Sequence, residues 1–312
     1  MAPDTARLRH VEESMGTVFS FDIRGVRDEP RVRAGLHAAV ASLHHADELF
    51  SPFRPDSQIQ RLGRGELALS ACAREVVEVL ELCAAAERES AGWFTTRYAG
   101  GLDPTGMVKG WAVERAVRMI ASSGAGSVCL NGGGDIQLLG GPWRVGISDP
   151  LRPGGLATVI ETGQGPGPVR SIFAGPRRPA PHLAALSESP KYVQYMGDPP
   201  PCDARHQTPR PDPRRSTGQG LGVATSGPAE RGCHVLDPYT GRPPVGGLAS
   251  VTVVCPEGLT MADTRATAAY AMGARARDWL EELPGTEGFA VLPDGRTWTT
   301  SGFHRYVAKV SA

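Results

Sequence analysis

The 312-residue sequence predicts an α+β protein, because segments with strand period and segments with helical period share the chain. The clearest strand signals are the alternating runs Val18-Phe19-Ser20-Phe21-Asp22-Ile23 and Ala249-Ser250-Val251-Thr252-Val253-Val254. The clearest helical signals are residues 31–50, 72–90, 110–122 and 262–282. In the first two of these, apolar side chains recur near three or four apart, as one face of a helix requires.

In chain order, residues 8–17 start irregularly and lead into the first alternating run. Val32, Leu36, Ala39, Val40, Leu43 and Leu49 set the first helix, and Val76, Val79, Leu80 and Cys83 the second. Between them the proline-punctuated stretch Ser51 to Ser57 must be a loop. The helix over 110–122 ends near Gly124 and Gly126, after which Ser127-Val128-Cys129-Leu130 reads as a short buried strand. Residues 163–220 differ in kind: they hold 12 of the 27 prolines, are rich in glycine and arginine, and show no sustained period. Such a stretch buries too little apolar surface to offset its ordering entropy, so an extended or disordered insertion is expected there. Regular structure is expected to resume at Val223, and a closing hairpin around Pro293-Asp294-Gly295. The whole is read as one catalytic unit over residues 8–312, interrupted by that insertion.

Forty per cent of the residues are apolar, and 33 Lys and Arg balance 33 Asp and Glu. This composition supplies a sizeable core and leaves no net field to draw in nucleic acid or anionic lipid. No nucleic-acid partner is expected. Cys72, Cys83, Cys129, Cys202, Cys233 and Cys255 form no CxxC pair and no zinc spacing, and they read as mostly buried thiols. The chain starts with no basic segment followed by an apolar stretch and no cysteine for a lipid anchor, and no apolar run reaches the ~18 residues of a membrane span. The expectation is a cytoplasmic protein without stable membrane insertion.

Four clusters can carry chemistry: residues 102–116, 130–140, 224–241 and 260–273. Each also has a plainer reading. Asn131 to Asp135 can be a turn that needs positive φ, Asp237 to Gly241 a β-turn, His234 a satisfied structural histidine, and Lys109 a solvated lysine. Asp263 and Thr267 lie four apart, so a helix projects both from one face, where a carboxylate and a hydroxyl offer hard oxygens to one Mg²⁺. Asp263 as the N-cap of that helix is the equal competitor. Around Lys109, a glycine-containing turn directly before a helix aims free N–H groups at an anion, and the ammonium adds a charge suited to phosphate. Neither a GxGxxG after a strand nor a GxxxxGK followed by Ser or Thr is present, which removes the Rossmann and P-loop readings.

Together, and in this order, the clusters resemble the ApbE family of FAD:protein FMN transferases. The resemblance is carried by Met15-Gly16-Thr17, by Phe50 to Ser57, by Gly92-Trp93-Phe94, and by a D-x-x-G-x-x-K-G pattern at Asp103, Gly106, Lys109 and Gly110. The motifs N-x-G-G-D, T-S-G-x-x-E-R, H-x-x-D-P-x-T-G and A-D-x-x-A-T are all present, and coverage runs from about residue 10 to the end with 163–220 excluded. The family implies mixed, mainly antiparallel sheets flanked by helices. It further implies that Met15, Phe53, Leu236 and the turn of Trp93, Phe94 and Thr95 line the flavin and adenine sites, while Asp103 and Lys109 hold polar parts of FAD. Mg²⁺ would take the carbonyl oxygens of Gly106 and Ala266 together with Asp263 and Thr267. His234 would move the proton or position the phosphate, with Asp237 fixing its loop and Asp263 completing the catalytic set.

Three positions depart from the family pattern. Phe53 stands where a tyrosine is usual, Thr95 where an aspartate is common, and Ala229 where the T-S-G motif commonly has a tyrosine. The activity so implied is Mg²⁺-dependent transfer of FMN from FAD to a Thr or Ser hydroxyl of an acceptor flavoprotein, forming a phosphoester and releasing AMP. Two alternatives stand beside it: an Mg²⁺-dependent FAD pyrophosphatase, in which water replaces the hydroxyl, and a non-catalytic flavin-binding protein.

Overall fold

The first strand forms where the sequence shows no clean alternation. Residues 6–14 make β1 (Ala6–Ser14), which pairs antiparallel with β2 (Thr17–Val26) in a register that sets Ser14 opposite Thr17. An edge strand with one face largely in water needs little apolar pattern, and this one is held by its ladder and by the two-residue turn Met15-Gly16. Both turn residues have positive φ, 52° and 67°, as the hairpin twist demands.

The computed structural model describes residues 6–98, 101–162, 220–227, 235–242, 244 and 247–307. After the hairpin come α1 (Glu29–Phe50), the short α2 (Gln58–Gly63) and α3 (Arg74–Glu89). Asp28 caps α1 by accepting the Arg31 N–H at 3.1 Å, and Ser57 caps α2. A small ribbon, β3 (Arg97–Tyr98) with β4 (Gly101–Leu102), leads into α4 (Thr105–Ser122). Then follow β5 (Ser127–Gly132), β6 (Asp135–Leu139), β7 (Trp143–Ser148) and β8 (Leu156–Thr162). The insertion read at 163–220 lies outside the described residues except for Gly220, which already begins β9 (Gly220–Ser226), ahead of Val223. The chain continues through β10 (Ser250–Cys255), α5 (Leu259–Met272), α6 (Ala276–Glu282), β11 (Glu287–Val291) and β12 (Thr297–Thr299).

The main sheet has eight strands in the order β1-β2-β5-β6-β9-β10-β11-β12, and β3-β4 and β7-β8 form separate pairs. Every pairing among these strands is antiparallel, as expected. Helices α4 and α5 lie on one face of the sheet with α1 packed behind α4. The larger core fills this layer, with Phe19, Leu130, Val251 and Val253 from the strands meeting Val113, Ile120, Leu259 and Ala266 from the helices. On the other face, β7 and β8 bring Trp143, Val145, Ile147 and Ile160 against Leu138, Val223, Val254 and Phe289. Helix α5 is buried on nearly every side, which is why its sequence shows no amphipathic stripe.

Two expected boundaries move. Helix α4 begins at Thr105 rather than near 110, because the Asp103 carboxylate accepts the Thr105 N–H at 2.9 Å and starts the helix there. Lys109 and Gly110 therefore sit inside the helix and not in a turn before it. The helix expected over 262–282 breaks at Gly273, whose φ of 58° ends α5. No helix of the described residues is long and apolar enough to cross a membrane.

Candidate active site

Helix α4 carries two glycines four apart on one face, and both are pressed against α5. A Cβ on Gly110 would stand 2.8 Å from the Leu259 carbonyl oxygen and 2.9 Å from Asp263 Cβ. A Cβ on Gly106 would lie 3.6 Å from Thr267 Oγ1. Gly110 thus faces Asp263 and Gly106 faces Thr267, so the two helices run antiparallel along a seam whose closest approach, at Gly110, requires glycine. Asp263 and Thr267 are both buried, and the Gly110 N–H donates to Asp263 Oδ2 at 3.0 Å. In a regular helix that N–H would close onto the Gly106 carbonyl, one of the oxygens expected to meet a metal.

The N-cap reading of Asp263 does not hold. Helix α5 starts at Leu259, a full turn earlier, and its first N–H groups are satisfied from outside the helix. Gln137 Oε1 accepts the Leu259 N–H at 2.7 Å, and Glu114 Oε2 accepts the Thr260 N–H at 3.1 Å and its hydroxyl at 2.6 Å. Asp263 is left one turn inside, facing α4. The opposite side of α5 is pinned by Arg265, which forks onto Glu89 at 2.8 and 3.1 Å and also donates to Glu257 and Thr286. Burial works against this guanidinium, yet Glu89, Cys255 and Glu257 hold its pKa above the ordinary value.

Lys109, one residue before Gly110, turns toward the sheet and pairs with the buried Asp135 of β6. The period of a strand explains the arrangement: Ile136 and Leu138 enter the core of the far face, while Asp135 and Gln137 face the helices. Asp135 also accepts the Thr225 N–H at 2.9 Å, so one carboxylate joins three of the sequence clusters. The plain-turn reading is right for the middle of its motif. Asn131 accepts the Gly134 N–H at 2.8 Å, and Gly133 and Gly134 have φ of 58° and 90°. Asp135 was visible in the sequence as the last letter of N-x-G-G-D, but nothing local gave it a partner.

Above Lys109 opens a cleft of about 220 Å³ lined by Met15, Gly16, Ala46, Asp47, Phe50 to Phe53, Thr105, Val108 and Lys109. It brings Met15, Phe53 and Lys109 together. Sites for drug-sized ligands run from roughly 300 Å³ upward, so a dinucleotide entering here would extend beyond it. Met15 holds its position with positive φ, and Phe53 is 92% exposed, so its ring is free to stack.

The turn at Trp93 follows α3 and meets α4 at Gly106 through Phe94. Phe94 is buried, with Cε2 3.3 Å from where a Cβ on Gly106 would be, and so supports the seam from beneath. Thr95 is buried beside it, accepts the Arg97 N–H at 3.2 Å and donates to Glu87 at 3.4 Å. Asp237 accepts the Tyr239 N–H at 2.8 Å and the Thr240 N–H at 3.3 Å, and Gly241 N donates to its carbonyl at 2.8 Å. Leu236 is half-buried in the same segment. This loop docks on the Trp93 turn, with the Trp93 and Tyr239 ring centroids 5.0 Å apart. His234, Ala229, Cys202 and Cys233 lie outside the described residues.

No three His, Cys, Asp or Glu side chains come together as a metal cluster among the described residues. The expected set does not need them: it has one carboxylate, one hydroxyl and two backbone carbonyls, a hard-oxygen set suited to Mg²⁺. Gly106, Asp263 and Thr267 meet along the α4–α5 seam, and Ala266 is fully buried on the same helix.

The ApbE family model matches residues 15–100, 95–165 and 193–290, the last stretch reaching into the insertion. Among solved structures, the chain is similar to the ApbE protein of Thermotoga maritima at 18% identity and a TM-score of 0.69, covering 97% of this chain and 100% of that one. The flavin transferase ApbE of Vibrio cholerae is similar at 17% identity and 0.67, with 97% and 100% covered. The apo flavinyl transferase ApbE of Pseudomonas stutzeri is similar at 16% identity and 0.66, with 98% and 99% covered. No curated protein sequence matches the chain. At these identities the likeness to the solved structures is one of fold.

Proposed function

Because the chain belongs to the ApbE family, we propose that it transfers FMN from FAD to a threonine or serine hydroxyl of an acceptor flavoprotein. The hydroxyl oxygen forms a bond to the FMN phosphorus, the pyrophosphate P–O bond breaks, and AMP leaves while the hydroxyl proton passes to a base. The observation that carries this reading is the α4–α5 seam, where Asp263 and Thr267 face Gly106 and Gly110 beside the Lys109–Asp135 pair. Mg²⁺ held by Asp263, Thr267 and the carbonyls of Gly106 and Ala266 would supply charge neutralisation of the pyrophosphate. Lys109, which lines the cleft and is oriented by Asp135, places its ammonium on the same stretch of helix.

Other roles follow the motifs. We assign the acceptor proton to His234, which in the sequence stands three residues before Asp237 and the turn it fixes, and ring contacts to Met15, Phe53 and Leu236. Phe94 and Thr95 support the site from within, and Asp103 sets the start of α4 against which FAD lies. The test is incubation with FAD, Mg²⁺ and a candidate flavoprotein, followed by a denaturing gel read for flavin fluorescence. A fluorescent acceptor with an equal yield of AMP is expected. AMP with free FMN and a dark acceptor would mean hydrolysis instead, and FAD retained without AMP would mean a binding protein.

A further inference from the structure

Trp93 is the aromatic residue that the motif offers for ring binding, but its surroundings are already taken. It is partly buried against the main core, the Arg275 guanidinium stands over its ring at 6.0 Å, and Tyr239 meets it at an interplanar angle of 69°. Tyr239 is in the opposite situation. It is 65% exposed, yet its orientation is fixed at both ends. Its backbone N–H is held by Asp237, its hydroxyl donates to the Ala91 carbonyl, and its ring abuts Trp93 edge to face. The turn that receives it is shaped for it: Ala91 and Gly92 both have positive φ, 51° and 86°, and a Cβ on Gly92 would stand 3.3 Å from the Tyr239 hydroxyl oxygen. An exposed aromatic ring held this firmly costs side-chain entropy with little burial in return, unless a flat partner covers it.

We infer that Tyr239 is a ring-binding residue of the FAD site, presenting its open face to one of the two flat ring systems of FAD, with Trp93 as its buttress. This rests on the flavin-transfer reading. It gives the otherwise unassigned residue of the D-P-x-T-G loop a part in substrate selection, since an aromatic face selects a flat heterocycle whatever the phosphates do.

The experiment measures FAD affinity and quenching of flavin fluorescence for the wild-type protein, Tyr239→Ala and Tyr239→Phe, with FMN and AMP bound separately to assign the ring. Thermal midpoints are taken alongside. Tyr239→Ala should weaken FAD by about fivefold or more, the weight of one stacking contact. It should weaken either FMN or AMP by the same factor and leave the other unchanged. Tyr239→Phe, which keeps the ring and loses the bond to Ala91, should stay within about twofold of wild type. Equal FAD affinity in wild type and Tyr239→Ala would overturn the inference, as would equal losses in the Ala and Phe variants, which would make the hydroxyl staple the operative part. Failure of the wild-type protein to bind FAD would instead remove the flavin-transfer reading itself.

Discussion

Asp135 pairs with Lys109 through one carboxylate oxygen and accepts the Thr225 N–H at 2.9 Å through the other. A side chain at the start of β6 thereby fixes the lysine of α4 and the strand that carries Thr225 and Ser226 of the T-S-G motif. Asp135→Asn keeps an oxygen for Thr225 and removes only the charge, whereas Asp135→Ala removes both contacts. Removing one partner of a buried ion pair costs ~3–5 kcal/mol. Urea unfolding should therefore show a loss of that order for the alanine variant and a smaller one for the asparagine variant. Equal losses would mean that the backbone bond, and not the ion pair, is what Asp135 contributes.

Gly110→Ala tests the seam. The added Cβ would meet the Leu259 carbonyl, a backbone atom that cannot rotate away, so α4 and α5 must separate. Overpacking of this kind costs ~1–3 kcal/mol, against a gain of under ~1 kcal/mol from replacing glycine within a helix. The expected outcome is a lower thermal midpoint together with a raised Mg²⁺ requirement, read by titrating the metal in an AMP-release assay. A variant with wild-type midpoint and metal dependence would show that the close approach is dispensable.

How far the sequence could be read depended on whether a feature is local. The helices α1 and α3 and the strands β2 and β10 were legible because each has a one-sided or alternating apolar pattern. Strand β1 was not, since its edge position asks for little pattern, and β6 to β9 were not singled out as strands. Asp263 and Thr267 were legible as a pair because their spacing alone puts them on one face. Whether Asp263 caps the helix was not, because that turned on where α5 begins, which is set by Gln137 and Glu114 from distant parts of the chain. The same holds for Arg265, an unremarked letter between Asp263 and Thr267 whose partners lie on three other segments.

Alkaline stability should report the buried thiols. Burial pushes the Cys129 thiol up to about 12 and raises Cys83 and Cys255 as well, from an ordinary value of 9.0. The folded state therefore keeps these protons while the unfolded chain loses them, so the stabilisation is whole below pH 9 and declines as pH rises toward the folded values. Each such thiol steepens the decline by ~1.4 kcal/mol per pH unit within that window. Cys129→Ala should flatten the fall in unfolding free energy between pH 9 and about 12, measured in urea. An unchanged slope would show that Cys129 ionises as easily in the folded protein as in the unfolded chain.

The sharpest test of the metal assignment compares Asp263→Asn with Thr267→Val. Asp263 accepts the Gly110 N–H at 3.0 Å, and in the proposed function it would also offer charge to a cation at the seam. Asparagine can keep the first through its amide oxygen, so the fold should survive, with a stability loss of ~1 kcal/mol or less. It cannot keep the second, because a neutral amide binds a hard dication far more weakly than a carboxylate does. Mg²⁺-dependent AMP release from FAD should then fall by about 100-fold or more, the weight of ~3 kcal/mol at the transition state. Thr267→Val is nearly isosteric and removes one neutral oxygen, so its loss should be smaller and largely recovered at high Mg²⁺. The order of the two effects is the discriminating result. If Thr267→Val is the more damaging, or if both variants unfold together, the seam is a packing contact and the metal must be sought elsewhere.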